Sequence, residues 1–290
     1  MTLAPSDAAF EGFRIIRDRP GLILAWTGFY LASLLAMVMV LLIPNIGALT
    51  AIAPVRDRDF DQLFARFGPA FLVAMLLAMT MMTVLITAIF RAVLRPEESR
   101  WAGLRVGWDE ARVFAVSVAV FFVFAVASAG FGLGVVVVGD IAPGLRGLLT
   151  VVGSAGGLAL IVWLAVRFYL SGAQTFAEKR VALIGAWRLT HGQFWRLLWT
   201  VALSVVFALI VVTVAFTVSL VLARLLGGFS LLGELVNPDP GAITQGLALK
   251  LLGQLLLQLA IQALVIVLVL TIFYAAPAAA YRILKAPPAS

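Results

Sequence analysis

The chain has 290 residues, 63% of them hydrophobic and 12% charged, with a net charge of +7. A soluble domain carries about 25% charged residues, so this chain lacks the polar surface to fold alone in water, and much of its area must face lipid. It has no cysteine and one histidine, His191, which excludes disulfides, thiolate and Fe–S centres, cysteine nucleophiles and metal sites built from several imidazoles.

Six stretches are long enough to cross about 30 Å of hydrocarbon at about 1.5 Å per residue. They are Gly21–Ile43, Pro69–Phe90, Val113–Val138, Gly147–Val166, Leu197–Leu222 and Leu251–Ala276, and none contains Asp, Glu, Lys, Arg or His. Ahead of the first, Ala9, Phe10, Phe13 and Ile16 share one helical face and Glu11, Arg14 and Asp18 the other, which predicts a short helix lying in the membrane interface. The first span reads as uncleaved: its 23 apolar residues exceed a signal-peptide core, and Ala51-Ile52-Ala53 lies well past its end.

Between spans 1 and 2, Asp57, Asp59 and Asp61 alternate with Arg56 and Arg58. An outer divalent-cation site is one reading. The favoured one is the polar face of an interfacial helix with Phe60, Leu63, Phe64 and Phe67 inward, ended by Gly68-Pro69. Met37, Met39, Met75, Met79, Met81 and Met82 read as adaptable packing rather than a copper path, since no Cys or His supports them. Before span 3, Trp101, Leu104, Trp108 and Ala111 form an apolar stripe opposite Glu98, Arg105 and Asp109, which predicts a second interfacial helix. Gly130, Gly132 and Gly134 lie within an apolar span and so read as packing rather than a nucleotide loop. Gly130 and Gly134 of span 3, with Gly153 and Gly157 of span 4, form two small-xxx-small faces that should let these helices approach closely. Before span 5, Glu178 to His191 is helix-like, with Gly192 as its stop and His191 as a helix-end cap. Glu98-x-Arg100-x-Ala102 and Glu178-x-Arg180-x-Ala182 hold equivalent places. The expected fold is therefore an all-α integral membrane protein of six transmembrane helices with short cytoplasmic interfacial helices, readable as three repeats of interfacial helix plus helical hairpin. The repeat period is roughly 80–90 residues.

Fifteen of the 21 basic residues fall at the N-terminus, in the loops after spans 2 and 4, and in the C-terminal tail. The positive-inside rule then places both termini in the cytoplasm. Eight of the 14 acidic residues lie on the same side, so the whole +7 belongs to the cytoplasmic face. Trp26, Trp101, Trp108, Trp163, Trp187, Trp195 and Trp199 all lie near that face, as an interfacial aromatic belt would. In span 6, Gln254, Gln258 and Gln262 recur at i, i+4, i+8, and span 5 offers Thr213 and Thr217 at similar depth. The favoured reading of this intramembrane polar stripe is interhelical hydrogen bonding; the other is a polar groove for a lipid headgroup or amphiphile.

Residues 186–198, Ala-Trp-Arg-Leu-Thr-His-Gly-Gln-Phe-Trp-Arg-Leu-Leu, resemble a signature of the membrane domain of bacterial glycerophosphoryl diester phosphodiesterases and the related YciC-like inner-membrane proteins. Arg91 to Glu97 and Leu104 to Glu110 are similar to a pattern in uncharacterised relatives. The first motif position is Ala186 where the signature has Ser. The resemblance implies a bacterial inner-membrane location and no activity of its own, because in the full-length phosphodiesterases the chemistry sits in a separate soluble barrel.

No nucleophile–base pair and no metal-ligand spacing stands out, so no catalytic, cofactor-binding or metal-binding residue is expected. The expected function is non-enzymatic, through contacts with lipid or protein. Its candidate face is Arg180, Trp187, Arg188, Trp195 and Arg196. The expected partners are membrane lipids, anionic at the cytoplasmic face, with a protein partner or a second copy also open, and no nucleic acid. The alternative is a transporter or permease for a lipid or small amphiphile, working without the intramembrane charges that ion coupling needs.

Overall fold

The computed structural model describes residues 4–43, 60–98, 100–141, 144, 146–226 and 245–285. Every regular element among them is helical. The α-helices are α1 (Pro5–Ala9), α2 (Glu11–Asp18), α3 (Pro20–Leu42), α4 (Phe60–Leu94), α5 (Trp108–Ile141), α6 (Arg146–Phe168), α7 (Ser171–Glu178), α8 (Leu183–Leu189), α9 (Phe194–Leu225) and α10 (Gln245–Lys285), with 3-10 turns at Pro96–Glu98 and Arg100–Gly103. Among the described residues, six candidate spans are long and apolar enough to cross a membrane: Pro20–Leu41, Gly68–Leu94, Trp108–Ile141, Thr150–Glu178, Phe194–Leu225 and Leu252–Lys285. Each of the six expected stretches falls on one of them.

The helices outrun the apolar stretches where the flanking chemistry allows it. Asp109 and Glu110 sit in the first turn of α5, where a negative charge is favoured by the helix dipole, and Arg167 sits in the last turn of α6, where a positive one is. Gly68-Pro69 does not end a helix as expected: α4 runs through it, with Pro69 inside. Asp57 and Asp59 of the acidic cluster, and Ala51 to Ala53, lie outside the described residues.

Of the segments before the odd-numbered spans, the first is helical as expected and the other two differ from expectation. The first is two short helices, α1 and α2, before Pro20 opens α3. The second is not an α-helix. It forms the two 3-10 turns and then a stretch without regular structure, because Ala102 and Gly103 take positive φ, 56° and 70°, which a right-handed helix cannot continue. Trp108 instead opens α5 and is exposed. The third breaks at Lys179, whose φ of 54° ends α7 and turns the chain into α8. Gly192 has φ +79° just past α8, the left-handed conformation suited to a glycine stop. The Glu98 and Glu178 segments thus have different backbones, one in a 3-10 turn and one at the end of an α-helix.

The chain divides into two compact units. One comprises Phe13–Ile86 and Val205–Ile272. Here Phe13 meets Phe207 edge-on with centroids 5.2 Å apart. Trp26 is fully buried, so it is a core side chain rather than a belt residue. The hydroxyls of Thr27, Ser33, Thr80, Thr83, Thr217 and Thr271 each donate to the carbonyl four residues earlier. Each of these bonds satisfies a hydroxyl within its own helix in apolar surroundings. Phe71, Leu72, Leu76, Leu209 and Phe216 are exposed, a surface suited to lipid.

The other unit comprises Met1–Gly12, Thr87–Ser204 and Phe273–Ser290. Within it α5 packs along α6 and α7, and α8 packs on α6 and α7. Its core holds Phe90, Val113, Val116, Phe176 and Leu197. Ala275, Ala276, Ala278, Ala279 and Ala280 on α10 are also fully or almost fully buried; with Pro277 inside the same helix, this run of small side chains lets backbones approach closely. Along α5 and α6 the small-residue face is one-sided. A Cβ on Gly153 would lie 2.5 Å from Val135 Cγ2, and one on Gly157 3.0 Å from Phe131 Cδ1, whereas Gly130 and Gly134 have nothing within 4 Å. The close approach predicted for these helices is present, but the side chains of Phe131 and Val135, one position along from the two glycines of span 3, fill it.

Candidate functional site

The ionisable side chains of the second unit sort into a closed, charge-paired network and a more open basic and aromatic set. The network begins at Arg91, the first charged residue after the apolar run of α4. Its side chain is fully buried. Its Nη2 donates to Glu110 Oε1 at 2.5 Å, and its Nη1 donates to the Gly103 carbonyl, so one guanidinium ties the end of α4 to the 3-10 turn and to the start of α5. Arg91 and Arg95 both lie over the Phe176 ring, 5.4 and 4.8 Å from its centroid. Arg95 Nη2 also donates to the Phe176 and Ala177 carbonyls at 3.2 and 3.3 Å. Arg95 lies 3.6 Å from Asp109, which Arg112 holds at 3.0 Å.

Glu98 accepts from Arg105 at 2.6 Å. Desolvation works to raise its pKa, but the Arg105 hydrogen bond and the charges of Arg95, Arg105 and Lys179 overcome it, so the carboxyl titrates below its ordinary range. Glu178, at the end of α7, accepts from Gln174 at 3.1 Å, Arg180 at 2.8 Å, Lys285 at 2.9 Å and the Tyr281 hydroxyl at 3.2 Å. Arg282 donates to Glu11 at 3.0 Å and to the Val93 carbonyl at 3.3 Å. These contacts join the start of α2, the end of α4, the end of α7 and the end of α10. The network is structural in character: its carboxylates are occupied by cations of the same chain.

The open set lies on α6, α8 and the start of α9. Trp163 and Trp187 meet edge-on with centroids 5.0 Å apart, and Phe168 lies 5.6 Å from Trp187. The Arg167 guanidinium sits 5.5 Å from the Trp163 centroid and 5.3 Å from that of Trp187, within cation–π range of both. Thr190, fully buried, donates to the Trp187 carbonyl at 3.0 Å and approaches the Arg167 carbonyl at 3.4 Å, fixing α8 to the end of α6. Arg188, His191, Trp195, Arg196 and Trp199 are exposed.

Of the five residues expected to form one basic and aromatic face, Trp187 is half-buried against Trp163, and Arg188, Trp195 and Arg196 are exposed. Arg180 is exposed but its charge is engaged by Glu178 at 2.7 Å, so it belongs to the paired network. The intramembrane stripe shows a different pattern. Gln254 is half-buried, Gln258, Gln262, Thr213 and Thr217 are exposed, and the Thr217 hydroxyl donates within its own helix to the Thr213 carbonyl at 2.9 Å. Among the described residues no group of three or more His, Cys, Asp or Glu side chains could hold a metal ion. Sequence reasoning passed over Arg167 as a site residue. The available signal was its place directly after an apolar span and four residues after Trp163, which puts the two on one helical face.

Comparison with protein-family models, with curated proteins and with solved structures finds no match for the chain.

Proposed function

We propose that this chain is a non-enzymatic, multi-pass protein of the bacterial inner membrane that acts through contacts with anionic lipid at its basic, aromatic end. The observation that carries the reading is the exposure of Arg188 and Arg196 beside the exposed indoles of Trp195 and Trp199. Guanidinium groups and indoles favour the headgroup level, and a Lys or Arg near an anionic surface contributes about 1 kcal/mol. The resemblance of residues 186–198 to the phosphodiesterase membrane domain supports the same location. In nanodiscs, R188Q/R196Q is expected to lose much of the wild type's enrichment of phosphatidylglycerol over phosphatidylcholine, with unchanged thermal unfolding. Equal enrichment in wild type and variant would overturn the reading.

The proposed orientation has both termini in the cytoplasm. Reporter fusions at Glu98, at Lys179 and after Ser290 are expected to report the cytoplasm, and fusions at Asp57 and Asp239 the outer side. A cytoplasmic signal at Asp239 would break the six-span topology.

A second reading, a passive path for a lipid or amphiphile, draws support from a crevice of about 360 Å³ between α5 and α6, lined by Phe131, Val135, Gly153 and Gly157 with Ser128 and Ser154 as its polar groups. Its lining is mostly apolar, which suits an acyl chain better than a headgroup.

A further inference from the structure

Arg167 stands apart from the other buried guanidinium of this unit. Arg91 has a carboxylate partner, whereas Arg167 Nε and Nη1 are buried with no hydrogen-bond partner, and no carboxylate pairs with the group among the described residues. Thr190 approaches the Arg167 carbonyl, not its side chain. The rings of Trp163 and Trp187 hold the guanidinium, but a ring face does not replace the acceptors that a charged donor loses on burial. Arg167 as a whole is half-buried, and Nη2, the guanidinium nitrogen not among these sealed atoms, is its open edge. That edge lies one residue beyond the apolar run Gly147–Val166, the depth at which a span passes from hydrocarbon into the headgroups. An ionisable residue so placed points to a functional partner of opposite charge. The anion available at that depth is a lipid phosphate, and a guanidinium N–H donates a charge-assisted hydrogen bond to a phosphate oxygen.

We infer that Arg167, clamped by Trp163 and Trp187, is a discrete binding site for the phosphate of an anionic phospholipid. The inference rests on the lipid-contact reading above and narrows it to one site. Arg188 and Arg196 attract an anionic surface; Arg167 holds a single headgroup from it.

The test is native mass spectrometry of the full chain in mild detergent with added dioleoylphosphatidylglycerol, and with dioleoylglycerol as the phosphate-free control. Wild type is expected to retain one phosphatidylglycerol and no dioleoylglycerol. R167Q is expected to lower the occupancy about tenfold or more, the scale of a lost charge-assisted contact. R167K, which keeps the charge but not the planar group held by the two rings, should fall between them, and R188Q/R196Q should keep the single bound lipid. Displacement of that lipid by millimolar inorganic phosphate, with phosphate raising the melting temperature of wild type but not of R167Q, would support the phosphate site and overturn the lipid as its occupant. Wild-type occupancy in R167Q would overturn the site; if R167Q does not fold, wild-type occupancy in R167K would do so. Loss of phosphatidylglycerol enrichment in R188Q/R196Q with full occupancy in R167Q would end this site and leave the broader lipid reading standing. No preference for phosphatidylglycerol in wild type would end both.

Discussion

Glu110→Ala is expected to destabilise the protein by about 3–5 kcal/mol, the range for removing one partner of a buried ion pair. The Arg91 side chain is 0% and the Glu110 side chain 6% exposed. Without the carboxylate, Arg91 would keep only the Gly103 carbonyl as acceptor, with Nε already unpartnered. The loss should appear as a lower melting temperature in detergent. The double variant Arg91→Met, Glu110→Leu should recover much of it, because two apolar side chains remove both buried charges together. A melting temperature for Glu110→Ala equal to wild type would mean that the pair is hydrated in the protein and not buried as described.

Gly157→Leu is expected to cost about 1–3 kcal/mol by overpacking the contact between α5 and α6. A Cβ at this position already stands 3.0 Å from Phe131 Cδ1, and the rest of a leucine has to displace the ring or part the helices. Two controls separate packing from a general effect of the substitution. Leu158 is exposed, so Leu158→Val should stay within about 0.5 kcal/mol of wild type. Gly130 has nothing within 4 Å, so Gly130→Leu should be mild as well. Comparable destabilisation by Gly130→Leu and Gly157→Leu would show that both glycines line the contact, as the spacing alone suggests. The expected asymmetry follows from the faces: Gly153 and Gly157 are holes on α6, and Phe131 and Val135 are the knobs that enter them.

Within the candidate site, the exposed part was legible and the buried part was not. Arg188, Trp195 and Arg196 stand out because charged and indole side chains cluster beside an apolar span, and that placement can be read along the chain. Arg180 stands beside them in sequence, yet Glu178 engages its charge. Arg167 carries the same local chemistry as any other span-flanking arginine. What distinguishes it is Trp187, twenty residues later in the chain and brought back only when α8 folds against α6.

The sequence by itself determined the number and place of the helices long and apolar enough to cross a membrane, and the concentration of positive charge beside some of their ends. These follow from lengths of apolar chain set against hydrocarbon thickness, and from composition, neither of which depends on a neighbour. Only the tertiary structure decided which charges are paired and which helix faces meet. Glu178 takes its hydroxyl and ammonium partners from Tyr281 and Lys285, more than a hundred residues away. Arg91 ends the helix of span 2 but finds its acceptors in the following turn and in α5. Helical periodicity shows which residues share a face. It does not show which face a neighbouring helix covers, so the glycines of span 3 drew attention to a contact that Phe131 and Val135 make.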